Sequence, residues 1–256
     1  MPVRNSQLAS VFNRDYLLVF PVLILLIVIS WVYISNLSNS TDSMKEVSMI
    51  QGNEWMLNDF IAVFAMWSAM MIAMMLPSAV PMILVFSTVN RKRRENGNSF
   101  VGTWIFVLGN VIVWVSFGFV ASLLQFVLHN LSVISDQLKL INPFASGIVL
   151  VAAGIYQFTT VKDVCLNNCQ SPLSFVLSFW KEGKTGAFLM GIRHGIYCMG
   201  CCWLLMALLF VAGIMNILWI ALIAVFVVIE KMIKKQRLVS YAAGFALIIL
   251  GFWLIL

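Results

Sequence analysis

The sequence predicts an all-α membrane protein, a polytopic helix bundle of about seven spans with its N-terminus cytoplasmic and its C-terminus outside. Three observations carry this. Hydrophobic residues make up 62% of the chain and charged residues only 10%, with a mean hydropathy of +0.98, against about a quarter charged in a soluble domain. Apolar runs long enough to cross a hydrocarbon core recur along the whole chain. Lys and Arg are also distributed asymmetrically. With seven spans and the N-terminus inside, thirteen of the sixteen fall in inside segments, leaving only Lys45 and Lys139 outside and Arg193 within a span. The net charge of +6 therefore reads as a topology signal and not as a nucleic-acid footprint.

The expected spans are 16–35, 59–89, 100–128, 143–161, 186–213, 216–229 and 238–256, all within a single integral membrane domain over 1–256. The first follows Arg4 and Arg14 and is too long for a signal-peptide core, so it is expected to be retained. A polar loop then runs to about Asn58. The second span exceeds what a straight crossing needs, and Pro77 and Pro81 near its end predict a kink or break before Arg91-Lys92-Arg93-Arg94. The third and fourth are joined by a short connection holding His129, Asp136 and Lys139.

A cytoplasmic cysteine loop is expected over 162–185. It contains a possible interfacial helix, capped by Ser171, started by Pro172, and carrying Leu173, Val176, Leu177 and Trp180 on one face. The fifth and sixth spans share a tight turn near Met215 and Asn216. Glu230, Lys231, Lys234, Lys235 and Arg237 precede the last, and a surface ion pair is the expectation for Glu230.

The fifth span departs most from a lipid-facing composition. Arg193, His194, Cys198, Cys201 and Cys202 fall within a few turns, and ionisable groups at membrane depth tend to face a protein interior and mark function. On a helix His194, Cys198, Cys202 and Met206 repeat every four residues, with Cys201 on the adjoining edge. Thiolate, thioether and imidazole suit Cu(I) or Zn(II) far better than Mg or Ca. Cysteine also packs as a small apolar residue, but three with a histidine on one stripe favour ligand or redox chemistry. Gly191 and Gly195 would let another helix approach closely. Arg193 would pair with a carboxylate or snorkel to the interface.

The second span offers Met66, Met70 and Met74 at the same spacing, with Met71 and Met75 beside them. By helical rise Cys198 lies ~18 Å from the end of its helix near Gly186, and Met70 ~16 Å from the end near Asp59, so both are expected near the middle of a core ~30 Å thick. Cys165 and Cys169 form a third cluster, placed to close over the cytoplasmic mouth of the bundle. Thiols on that side stay reduced and are more often ligands than disulfides.

Three segments together resemble a prokaryotic family of predicted metal-binding integral membrane proteins, a domain of unknown function. They are Met66-Trp67-Ser68-Ala69-Met70-Met71-Ile72-Ala73-Met74-Met75-Leu76-Pro77, then Gly154-Ile155-Tyr156-Gln157-Phe158 through Cys165, Cys169, Ser171 and Pro172, and Gly191 to Met206 with its Cys-x-Gly-Cys-Cys-Trp core. Thr160 and Val161 depart from the Pro-Leu expected in the second, with no ligand type lost. The likeness covers about 59–231. It implies a soft-metal site carried by Met66, Met70, Met74, Cys165, Cys169, Cys198, Cys201 and Cys202, to which the helical stripe adds His194.

The leading expectation is a multi-pass cell-membrane protein that binds copper, or else zinc, for transport or delivery. Its partners would be the lipid bilayer, the metal ion, and a membrane protein or metallochaperone. A thiol-disulfide redox protein and an accessory subunit of a membrane metalloenzyme are the alternatives. No catalytic residue stands out, and no nucleotide-binding motif for ATP-driven pumping is present.

Overall fold

The structure, a computed structural model, describes residues 4–39, 57–96, 101–131, 133–134, 139–233 and 236–256. Among these residues the architecture is all-α. The helices are α1 (Arg4–Asn39), α2 (Leu57–Glu95), α3 (Thr103–Asn130), α4 (Pro143–Tyr156), α5 (Thr160–Gln170), α6 (Pro172–Ser178), α7 (Gly183–Ala207), α8 (Leu209–Ala212), α9 (Ile217–Met232) and α10 (Gln236–Ile255). Most of the polar loop expected before α2 lies outside the described residues.

Five segments are helical, long and apolar enough to cross a membrane: Val19–Asn39, Leu57–Glu95, Thr103–Asn130, Gly183–Ala212 and Gln236–Ile255. The pair α4 and α5, bent by 63° at a short break, makes a sixth if it counts as one span. The remaining expected span is α9, of 16 residues. Large apolar side chains on α1 (Leu25, Val28, Ile29, Val32) and α10 (Phe245, Ile249, Phe252, Trp253) point outward, a surface suited to lipid.

Three expectations are corrected. Pro77 and Pro81 do not break α2, which runs unbroken for 39 residues. Each proline leaves the carbonyl four residues earlier, that of Ala73 or of Pro77, without its helical donor, a loss that helices in apolar surroundings tolerate; between these carbonyls Ser78 Oγ donates to that of Met75 at 2.8 Å. The cysteine loop is not a loop at its start. Thr159 caps α5 by accepting from the Lys162 amide, so Cys165 and Cys169 sit on a helix that packs against α7. The third correction concerns α6, where Val176 does not share a face with Leu173 and Leu177: it is buried with Phe175 on the side that packs on α2 and α7, while the two leucines are exposed. Pro172 does open that helix, but Ser171 makes no side-chain cap.

The helix that carries the cysteines, α7, is held against α3 by close backbone packing. A Cβ on Gly195 would lie 2.8 Å from Val113 Cβ, and one on Gly191 would collide with the Phe106 carbonyl. Only glycine allows that approach, which fixes the rotation of α7 and turns Cys198, Cys201 and Cys202 into the interior.

Candidate metal centre

Rotation about α7 decides which side chains meet. His194, Cys198, Cys202 and Met206 are all buried on it, as is Cys201. The thiols of Cys201 and Cys202 both donate to the Cys198 carbonyl, at 3.0 Å each, which satisfies a backbone acceptor and turns the two sulfurs toward the same turn of helix.

Two other segments bring sulfur to this turn. From α2, Met75 Sδ lies 3.7 Å from Cys202 Sγ. From α5, Cys169 is buried in the same core as Cys198, Cys201 and Cys202 and interacts electrostatically with the first two. The half-buried Cys165 packs against Gly200, where a Cβ would lie 2.7 Å from its sulfur. Met66, Met70, Met71 and Met74 are fully buried in the same apolar core. The contact between methionine and cysteine sulfurs is thus made by Met75, one position past the stripe of Met66, Met70 and Met74.

A cation completes the group. Lys231, on the last turn of α9, donates from Nζ to Cys198 Sγ at 2.9 Å and to Ser78 Oγ at 2.9 Å. This places the thiols at the level where α9 ends. Neither Lys231 nor Ser78 is a site residue in the sequence-based expectation, where Lys231 counts only as a basic residue beside a span end. A signal existed, because the buried stripe Ile220, Ile223, Ala224 and Val227 continues at helical period onto Glu230 and Lys231.

The chemistry on offer is soft. Two sulfurs 3.7 Å apart can share an ion; with metal–sulfur bonds of about 2.3 Å the angle at the ion is about 107°, near tetrahedral. Thiolates are the binding form of cysteine, and the Lys231 ammonium offsets negative charge that would gather on them. Among the described residues no three His, Cys, Asp or Glu side chains stand in an arrangement that could hold a metal ion.

Other expected site residues have different surroundings. His194 Nδ1 lies 3.1 Å from Asn110 Oδ1, and its ring is flanked by Phe106 and Phe175, with centroids at 5.9 and 5.8 Å. It stands one turn before Cys198 and is fixed by α3. The Arg193 guanidinium lies 3.6 Å above the centre of the Phe179 ring, and among the described residues it makes no salt bridge. Glu230 is corrected from a surface pair to a buried one. Its carboxylate accepts from Lys162 Nζ at 2.6 Å and from Ser240 Oγ at 2.5 Å, with the Lys162 and Glu230 side chains 0% and 1% exposed. Gln157 Oε1 takes a further bond from the same ammonium.

Comparison with known proteins finds no match among curated proteins or solved structures. Residues 64–254, which contain every cysteine and the whole of this cluster, match a family described as PpoB2, copper chaperone. The chain belongs to that copper chaperone family.

Proposed function

From that membership we propose that the chain is a multi-pass cell-membrane protein that takes a copper ion onto sulfur and delivers it to a recipient protein. The ion is cargo. It binds Cys198, Cys202 and Met75, with Cys169 and Cys201 as the exchange partners that lower the cost of moving it on. Loading Cu(I) on two thiols forms two Cu–S bonds and releases two protons, leaving an anionic bis-thiolate beside the Lys231 ammonium. No electron is transferred, and release reverses the same exchange.

One observation carries the reading: sulfur from three separated segments, Met75 on α2, Cys169 on α5 and Cys198 to Cys202 on α7, is gathered in one buried place. A thioether among the donors favours copper over zinc. The resemblance to predicted metal-binding membrane proteins points the same way, and delivery fits the family better than a thiol-disulfide cycle does.

The topology belongs to the same proposal. At 1.5 Å per residue α9 is about 24 Å long, enough to cross most of a hydrocarbon core of ~30 Å. With the bent pair it brings the count to seven, N-terminus inside and C-terminus out, and the Lys231 end of α9 then faces the cytoplasm. Metal content tests the function. Protein purified under reducing, chelator-free conditions after growth with copper should carry the metal, and a Cys198→Ser, Cys201→Ser, Cys202→Ser variant should lose it. Wild-type protein with free thiols and no copper would overturn the reading.

A further inference from the structure

A copper ion bound for these thiols needs a way in, and two openings reach their neighbourhood. One is a cleft of about 700 Å³ between α3, α7 and the α4–α5 bend, lined by Ile112, Phe117, Val120 and Trp203 and ending at Gly200. Its walls are mostly apolar, with Ser116, Tyr156 and Met199 the exceptions, and they face outward between spans, so a cation would have to enter from the apolar outer side of the bundle. The cost of a charge in such surroundings is several kcal/mol.

The other is a notch of about 260 Å³ between α5 and α6. Asn167, Asn168, Ser171, Ser174 and Ser178 supply carboxamides and hydroxyls to its walls, and the three serines are exposed. At about 30 Å³ per water it has room for several. Two features tie it to the sulfur cluster. Asn168 in its wall is followed by Cys169, which is buried in the core that holds Cys198 and Cys201. Phe175, also in its lining, is only 2% exposed, and its ring meets His194 edge-on at 5.8 Å and Tyr197 at 6.1 Å. Cys198 is the next residue along. Phe175 thus touches both the notch and His194 at the start of the ligand stripe, with Phe179 and Tyr197 packed beside it.

We propose that this notch is the entry port for Cu(I) presented by a soluble copper complex, and that Phe175 is the side chain the ion must pass to reach Cys198. The inference rests on the copper reading above. It adds the route, the polar residues that line it and the side from which cargo arrives. His194, held by Asn110 just behind Phe175, is the first imidazole the ion would meet.

Stopped-flow loading of the full chain in detergent micelles with Cu(I) bicinchoninate tests this. Ser174→Trp fills the notch from an exposed position, and Val120→Trp fills the apolar cleft as the control. The expected result is loading at least tenfold slower in Ser174→Trp, with the final copper stoichiometry unchanged, and wild-type loading in Val120→Trp. A Ser174→Trp rate equal to wild type, a lowered final stoichiometry in that variant, or slowing by Val120→Trp instead would each overturn the port. Failure of wild-type protein to take up any copper would instead sink the copper reading on which the port stands.

Discussion

Removing one partner of the Lys162–Glu230 pair should be among the most damaging single changes in the molecule. The pair joins α5 to α9, and a second bond from Gln170 Nε2 to the Glu230 carbonyl at 2.7 Å joins the same two helices. With side-chain exposures of 0% and 1%, solvent screens neither charge. Glu230→Ala would leave a buried ammonium with only Gln157 for company, a defect that costs about 3–5 kcal/mol, or roughly two to four orders of magnitude in the folded-to-unfolded ratio. Replacing both residues by methionine removes the stranded charge. What then remains is chiefly the lost partners of Gln157 and Ser240, about 1–3 kcal/mol. The double variant should therefore be more stable than Glu230→Ala, and a cycle of Lys162→Met, Glu230→Met and the double should show a coupling of at least about 2 kcal/mol. Unfolding in mixed dodecyl maltoside and sodium dodecyl sulfate micelles measures it. Losses that add within about 0.5 kcal/mol would refute the claim that burial makes this pair a clamp.

Met75→Leu conserves volume and should cost less than about 1.5 kcal/mol of stability, yet weaken Cu(I) binding in a bicinchoninate competition titration; unchanged affinity would remove Met75 from the donor set. Lys231→Met should lower Cu(I) affinity by about tenfold or more, the worth of a charge-assisted hydrogen bond, whereas Lys231→Arg should retain most of it. The same titration reads both. Gly191→Ala drives a Cβ into the Phe106 carbonyl and should cost about 1–3 kcal/mol, measured by unfolding in the mixed micelles used above.

The long helices were legible because lipid imposes a simple requirement, an apolar run of sufficient length, and α2, α3, α7 and α10 meet it without help from tertiary contacts. What failed was every inference in which a polar residue has two equally good readings. Lys162, Glu230 and Lys231 sit beside span ends, where basic residues set topology, and composition alone does not distinguish a lysine that faces water from one that turns inward onto a carboxylate or a thiol. Residues 162–170 read as the start of a loop because they are polar, although Thr159 just before them offers a helix cap. The cysteine stripe was legible from its four-residue period. The methionine in contact with it was not, since the crossing of α2 and α7 selects Met75, and a periodic pattern does not encode where two helices cross.

Copper K-edge X-ray absorption on the copper-loaded wild-type chain tests the central claim most directly, because it reads the atoms bound to the ion. The expected spectrum is that of Cu(I) in a first shell of sulfur at about 2.3 Å, and Cys198→Ser should replace part of that shell with lighter scatterers or abolish it. A first shell of nitrogen and oxygen alone in the wild type would contradict the gathering of Met75, Cys169, Cys198, Cys201 and Cys202 as a copper site.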